Sequence, residues 1–292
     1  FRDAVQSDDE GGVTRNWRES VRQSLEDGSA ERAILGPGSR IRLIGPTGIR
    51  TMEAPAASEV ESWANDLLPA DDASQTFRRV SADGAGHFWV QRVGGPGGGT
   101  LAVTRPPTTA PTWKELGLGA DLAAALGRHD TRPLIVTSTN AQVVRWALAG
   151  WIAHLSGERP LVGWVLEPWP SFDWSALPGH VATLLPEDCS RPGDLTRACE
   201  AIGCGLLVLR GISDGALVRE AFALSSTVLH VVVSVTAAGA TETLRQLEDH
   251  FGRSANPSDF AARVRGIWSI ESATETLVPF KSSLASRRDA PR

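Results

Sequence analysis

The sequence predicts an α/β protein built around a doubly wound, mostly parallel sheet, with a small α+β domain before it. From Pro133 onwards, apolar runs of strand length alternate with longer amphipathic stretches of helical period, which is typical of parallel βαβ units. Before Pro106, short apolar runs are separated by turns, and the glycine-rich Gly94–Gly99 joins two of them as a hairpin loop. The first part is therefore expected to form a mostly antiparallel sheet.

The composition indicates a globular protein and argues against a nucleic-acid-binding or membrane-spanning one. The chain has 292 residues, 41% of them hydrophobic, which is enough for a sizeable core in one or two domains. The net charge of −5 argues against general binding to nucleic acid or to anionic membranes. No apolar run approaches the ~20 residues of a membrane-spanning helix. We expect a cytoplasmic protein without membrane insertion, held at the inner face of the membrane, if at all, through partners.

The three cysteines, Cys189, Cys199 and Cys204, have neither CxxC spacing nor a Cys/His pattern. This favours three reduced thiols over a metal site or a disulfide framework. We therefore predict no bound metal.

The N-terminal part divides at a glycine–proline segment. Residues 1–38 are polar and charged, which predicts a leader or linker, partly disordered, with one short helix near Trp17–Glu26. Residues 39–105 form the α+β domain. Its helix is expected to begin at Ser58 with Glu61, and its predicted strands are Arg40–Ile44, Phe77–Ser81, His87–Val93 and Thr100–Thr104.

Residues 106–131 are expected to form a linker with two short helices. The first begins at Thr112 with Glu115, and the second is Asp121–Gly127. Residues 132–281 carry the parallel sheet, and 282–292 a basic tail. The predicted elements of the second domain are strands Leu134–Val136, Leu161–Leu166, Leu206–Leu209 and Val228–Val235, and helices Val143–Leu155, Leu195–Ile202, Gly215–Ser225 and Glu242–Phe251.

Ligands of doubly wound sheets bind at the carboxyl ends of the strands. Four segments follow strands here: Thr137–Gln142, Glu167–Phe172, Arg210–Asp214 and Thr236–Gly239. The first lies between a strand and a helix, the arrangement in which phosphate-binding loops are built. It contains no glycine, however, and no lysine begins the helix.

These four segments, in this order, resemble the PilT and GspE family of ATPases that power type IV pili and type II secretion. The likeness covers about residues 40–283 and includes the lead-in Pro111–Leu126 and the segment Asp214–Arg219. It implies a PAS-like domain at 39–105 and a RecA-like domain at 132–281.

The resemblance places the family's Walker A segment on Ser138–Trp146, which includes Asn140. The family's glycines fall on Ser138, Ala141 and Val143. Its lysine falls on Val144, its Mg²⁺-holding hydroxyl on Arg145, and the next threonine on Trp146. We expect side chains from Gln142–Trp146 to occupy the place of the phosphates.

The other motifs are altered as well. One family glutamate is kept as Glu167, but the water-activating glutamate falls on Ser171. The Walker B carboxylates fall on Gly205 and Gly211, and the His box begins at Thr236. Phosphoryl transfer relies on Mg²⁺, a cationic cradle and an oriented water. The resemblance therefore implies a degenerate ATPase, with no catalytic residue and no cofactor.

The predicted function is that of a non-catalytic structural or regulatory subunit. Its partners would be a true ATPase of the family, the platform of that ATPase, or a second copy of the chain. The alternative is a divergent motor that binds ATP and Mg²⁺ with Arg145 as a substitute phosphate cation. Arg145 could equally be solvated or pair with Glu167, and a third possibility is an altered cleft that binds a different ligand.

The loop EPWPSFDW contains two tryptophans, Trp169 and Trp174. Aromatic residues in a proline-rich loop suit a protein interface, and they suit cavity filling equally well. Both interpretations stay open at the level of the sequence.

Overall fold

The computed structural model describes residues 16–45, 48–68, 77–82, 86–93, 99–112, 115–116, 132–251, 263–271 and 281–285. The chain divides into two compact units, Phe1–Pro106 and Pro107–Arg292. The second short helix expected in the linker, at Asp121–Gly127, lies outside the described residues.

The N-terminal unit is α+β with an antiparallel sheet, as predicted. Its six strands lie in the order β3-β2-β1-β6-β5-β4, and each neighbouring pair is antiparallel. The elements are α1 (Trp17–Glu26), β1 (Arg32–Leu35), β2 (Ile41–Gly45), β3 (Gly48–Met52), α2 (Ala57–Leu67), β4 (Phe77–Ala82), β5 (Gly86–Val93) and β6 (Thr100–Thr104).

Strand β1 corrects the leader or linker expected for residues 1–38, whereas α1 has the bounds of the short helix expected there. β1 pairs with both β2 and β6, so it is an interior strand of the sheet. Val21 and Leu25 of α1 are 0% and 1% exposed and share a core with Ala33 and Leu35 of β1. A four-residue strand between polar segments shows too little alternation to be recognised before its partners are known.

The starts of α1 and α2 differ in how well they were predicted. Asn16 caps α1 by accepting a hydrogen bond from Arg18 N at 3.2 Å, as its place before Trp17 suggested. Helix α2 begins two positions earlier than expected, because Glu59 accepts from Ala56 N at 2.9 Å.

The C-terminal unit contains a seven-stranded sheet in the order β13-β12-β7-β11-β10-β8-β9. All neighbours are parallel except β12 and β13, which confirms the predicted fold class. The strands are β7 (Leu134–Ser138), β8 (Leu161–Leu166), β9 (Gly179–Leu184), β10 (Leu206–Leu209), β11 (His230–Thr236), β12 (Gly266–Glu271) and β13 (Lys281–Ala285). The helices are α3 (Ala141–Glu158), α4 (Asp194–Ile202), α5 (Gly215–Leu224) and α6 (Ala240–Phe251).

Helices cover both faces of this sheet. Leu206 and Val208 of β10 belong to a core cluster with α3, whereas Leu207 and Leu209 of the same strand belong to a cluster with α4, α5 and α6. Alternate residues of a strand point to opposite faces, so α3 lies on one side and the other three helices on the other. This is the doubly wound arrangement that the sequence predicts.

The connection between β8 and β9 contains no α-helix. Residues 167–178 cross from one parallel strand to the next with a single 3-10 turn at Trp174–Ala176. Phe172 and Trp174 are 3% and 4% exposed and belong to the cluster on the α3 side. The loop thus covers apolar surface that a crossover helix would otherwise cover.

Strand β13 corrects part of the basic tail expected at 282–292. Its backbone pairs antiparallel with β12, with Ala285 opposite Ile267. A short polar strand at a sheet edge is specified by pairing, and its own sequence carries little apolar alternation.

Candidate functional site

The turn between β7 and α3 is short. Only Thr139 and Asn140 separate the strand from the helix, which begins at Ala141. Two positions that the resemblance assigned to phosphate-binding glycines, Ala141 and Val143, are therefore helical. A glycine-rich phosphate loop needs open backbone at these positions.

Side chains of the turn satisfy its own amides. Asn140 Oδ1 accepts from Gln142 N at 2.9 Å, which makes Asn140 the N-cap of α3. Ser138 Oγ accepts from Asn140 N at 3.2 Å. These two N–H groups are bonded within the chain and do not point at an open anion site.

The residue at the family's lysine position faces the core. Val143 and Val144 are 5% and 4% exposed and pack in the cluster on the α3 side. Their β-branched side chains are locked in one rotamer by the helix, which suits dense packing. Neither side chain offers a charge to a phosphate.

Arg145 and Trp146 join α3 to the β8–β9 connection. Arg145 donates from Nη2 and Nε to the carbonyl of Ser171, at 2.9 and 3.2 Å. Its guanidinium also lies 5.1 Å from the centre of the Trp146 ring and 5.8 Å from that of Phe172. Trp146 packs edge-on against Phe172 with ring centres 5.4 Å apart. Arg145 is therefore held between the Ser171 carbonyl and two aromatic rings.

Glu167 is fully buried at the carboxyl end of β8. Its Oε2 accepts from Arg210 Nε at 2.6 Å and from Ser171 Oγ at 2.7 Å. Its Oε1 accepts from Ser171 N at 2.9 Å and lies 3.4 Å from Thr183 Oγ1. The carboxylate that the family keeps is thus surrounded by donors from the chain itself.

Arg210 is a charged residue of this edge that sequence reasoning did not single out. It follows β10 directly and binds Glu167, while its Nη2 donates to the Trp169 carbonyl at 2.8 Å. The signal available in the sequence was an arginine at the carboxyl end of an otherwise apolar strand. The end of a buried strand removes part of an arginine side chain from water, and a charge in that position is normally paired with a carboxylate.

Gly205 does not belong to the site. It precedes β10, where its N–H donates to Val162 O at 2.8 Å and its carbonyl accepts from His230 N. Four strand residues separate it from the carboxyl edge, about 13 Å at the usual rise. The motif alignment placed it in the Walker B segment, but the strand carries it to the opposite end of the sheet.

Gly211 and Thr236 do lie at the carboxyl edge. Gly211 has φ +65 and donates to Ser234 Oγ at 3.1 Å. Thr236 ends β11 directly beside Ser138 of β7. The edge therefore gathers Ser138, Glu167, Gly211 and Thr236, and only Glu167 among these four carries a charge.

The two loop tryptophans have different surroundings. Trp174 is buried, which decides between the two interpretations in favour of cavity filling and corrects its assignment to an interface. Trp169 is partly exposed, beside exposed Pro168. The two residues differ because no helix crosses between β8 and β9. The second half of the loop, which contains Trp174, packs on the sheet in place of such a helix.

Other binding chemistry is sparse in the described part of the chain. No group of three or more His, Cys, Asp and Glu side chains there could hold a metal ion. No helix among the same residues is long and apolar enough to cross a membrane. The three cysteines are buried with free thiols, and burial raises the pKa of Cys189 to about 12.

No protein-family model matches the chain, and no curated protein does. Solved structures are similar. The pilus retraction motor PilT with bound ADP aligns with a TM-score of 0.72 at 16% identity, over 92% of this chain and 82% of the PilT chain. The Legionella pneumophila ATPase DotB gives 0.65 at 14% identity, over 94% and 81%. The Yersinia pseudotuberculosis ATPase DotB gives 0.64 at 14%, over 97% and 81%.

The chain therefore has the fold of a two-domain ATPase of the pilus and secretion type. In particular, it has the fold of PilT and DotB, and this confirms the resemblance inferred from the sequence at the level of the fold.

Proposed function

We propose that the protein is a non-catalytic component of a pilus- or secretion-type machine, a degenerate ATPase that acts by binding other proteins. The observation that carries this proposal is the start of α3. Residues that would have to form a phosphate cradle are wound into a helix capped by Asn140, and Val144 stands buried where a lysine is needed.

The carboxylates support the same proposal. Glu167 is occupied by Arg210 and Ser171, and Gly211 offers no carboxylate for Mg²⁺ or for an attacking water. Losing a charge-assisted contact costs about 1.5–3 kcal/mol, or roughly tenfold to a hundredfold in affinity. Several such contacts are missing together, so tight binding of ATP with Mg²⁺ is not expected.

The divergent-motor alternative depends on Arg145. To reach a phosphate, this side chain would have to release the Ser171 carbonyl and its place over Trp146 and Phe172. Nucleotide would then have to replace both sets of contacts. This cost disfavours Arg145 as a substitute cation.

Calorimetric titration with Mg-ATP and a phosphate-release assay test the proposal. We expect neither micromolar binding nor turnover by the wild-type protein, and no turnover by Val144→Lys. Circular dichroism checks that the lysine variant is folded, and the wild-type result stands without it. Micromolar binding to wild type, or turnover that disappears in Arg145→Ala, would contradict the proposal and favour the divergent motor.

The proposed mode of action is contact with a true ATPase of this fold, with its platform, or with a second copy of the chain. We place the protein in the cytoplasm, at the inner face of the membrane through these partners. Pro168 and Trp169 supply the exposed aromatic–proline surface for such a contact. A pull-down with each candidate partner tests this surface. Trp169→Ala should weaken capture, and unchanged capture would remove the loop from the proposal.

A further inference from the structure

A cavity of about 390 Å³ opens on the side of the sheet away from α3. It lies where β10 and β11 end, beneath α5 and α6. The floor of the cavity is apolar and consists of Ile212, Val218, Val233, Val235 and Leu247. The rim is mostly polar and consists of Gly211, Ser213, Ser234, Thr236, Gln246, Asp249 and His250. Its volume is in the range of small-molecule sites.

The floor is aliphatic and rigid. Val218, Val233 and Leu247 are each 1% exposed and belong to the core cluster of α4, α5 and α6. Gly211 uses a positive φ to turn the chain at the mouth, and its amide is fixed on Ser234 Oγ. The floor of the cavity is therefore built from packed helices and strands, and the loop residues Gly211, Ile212 and Ser213 complete the lining.

The rim offers polar groups to a ligand. Ser213, Thr236 and Asp249 are exposed, so their hydroxyls and carboxylate face solvent at the mouth of the cavity. The Gln246 amide donates to Thr236 O and to Glu242 Oε1. These groups offer acceptors more than donors.

The described cavity lining contains one carboxylate, that of Asp249, and one imidazole, that of His250. No lysine or arginine is among the described lining residues. Arg219 binds the His250 carbonyl from outside the lining. A phosphate or carboxylate ligand would be repelled by the Asp249 carboxylate.

We propose that this cavity binds a small aliphatic cation, an ammonium or guanidinium group on a hydrocarbon stem. The cationic head pairs with Asp249 and donates to the hydroxyls and the Gln246 oxygen, while the stem lies on the valine and leucine floor. The cavity contains no residue of α3, although it shares Gly211 and Thr236 with the carboxyl edge described above. A putrescine titration and a Mg-ATP titration therefore give separate results for the two proposals.

The test is a titration of the full chain with putrescine, in which binding is measured by calorimetry and by the shifts of amide NMR signals. Butanediol, which has the same stem without the charge, serves as the matched ligand. Putrescine should bind saturably and shift the amide signals of Val235 and Gln246, and butanediol should bind a few-fold more weakly.

Asp249→Asn should weaken putrescine a few-fold, because the carboxylate is exposed to solvent. The matched control is Glu248→Gln, which removes the same charge from the adjacent position of α6 but does not line the cavity. Its affinity should equal that of wild type. Absence of saturable binding, equal weakening in both variants, or shifts confined to other surfaces would overturn the proposal.

Discussion

Arg210 Nε lies 2.6 Å from Glu167 Oε2, and this ion pair joins the carboxyl ends of two neighbouring strands, β10 and β8. The glutamate side chain is 0% exposed and the arginine side chain 16%. The same arginine holds the Trp169 carbonyl, so one side chain fixes both the buried charge and the loop that follows it. The carboxylate is in this way part of the scaffold.

Removing one partner of the pair should be costly. Arg210→Met leaves the Glu167 charge buried with only hydroxyl and amide donors, and we expect a loss of about 3 kcal/mol in the free energy of unfolding. Urea denaturation followed by circular dichroism measures it. The control is Arg197→Ala, which breaks the exposed pair with Asp194 and should cost less than about 1 kcal/mol. Similar losses in both variants would show that the Glu167 pair is not structural.

The two loop tryptophans should respond differently to truncation. Trp174→Ala removes a buried ring beside Phe172 and should lower the free energy of unfolding by about 3–5 kcal/mol. Trp169→Ala, at a partly exposed position, should cost clearly less and act on partner capture instead. Thermal melts of both variants in the same buffer make the comparison. A larger loss for the Trp169 variant would refute the assignment of Trp174 to the core.

The cap of α3 can be tested on its own. Asn140→Ala removes the acceptor for Gln142 N and should destabilise the protein by about 1 kcal/mol. Asn140→Asp puts a carboxylate oxygen in the place of the amide oxygen, so its free energy of unfolding should be close to that of wild type. Chemical denaturation compares the three proteins, and equal stability of all three would mean that the cap contributes nothing measurable.

The thiol of Cys189 should be unreactive in the folded protein. Its pKa is raised to about 12 by burial, with the carboxylates of Asp188, Asp194 and Glu220 adding to the effect. At pH 8 the thiolate, which is the reactive form, is therefore populated to only about one part in ten thousand. In a Cys199→Ala, Cys204→Ala variant, a thiol reagent should react slowly before unfolding and rapidly in urea. Rapid reaction in the native state would contradict the burial of this thiol.

The central strands were predictable because burial on both faces gives them continuous apolar runs. β8 and β10 have the predicted bounds, Leu161–Leu166 and Leu206–Leu209. β1 and β9 were missed since Arg32–Leu35 is very short and Gly179–Leu184 mixes apolar with polar residues. Edge strands and short strands form because they pair with neighbouring strands, and the local sequence does not show which strands will be neighbours.

The site was predictable in position but less so in its contacts. The carboxyl edge was identified from strand order alone, and Ser138, Glu167, Gly211 and Thr236 are all at it. The link between Glu167 and Arg210 spans 43 positions and depends on β8 lying beside β10. Gly205 was misplaced for the opposite reason, because a motif alignment does not say at which end of a strand a residue lies.

The helix-free connection between β8 and β9 also bears on the order in which the sheet assembles. Leu161 pairs with Gly179, only 18 positions along the chain, whereas Leu134 of β7 pairs with Val232, 98 positions away. Loop-closure entropy favours the nearer pair by about 1.5 kcal/mol. We therefore expect an outer edge of the sheet to form early, with the aromatic side chains of the connection as its first apolar contacts, and the central β7–β11 pairing to follow.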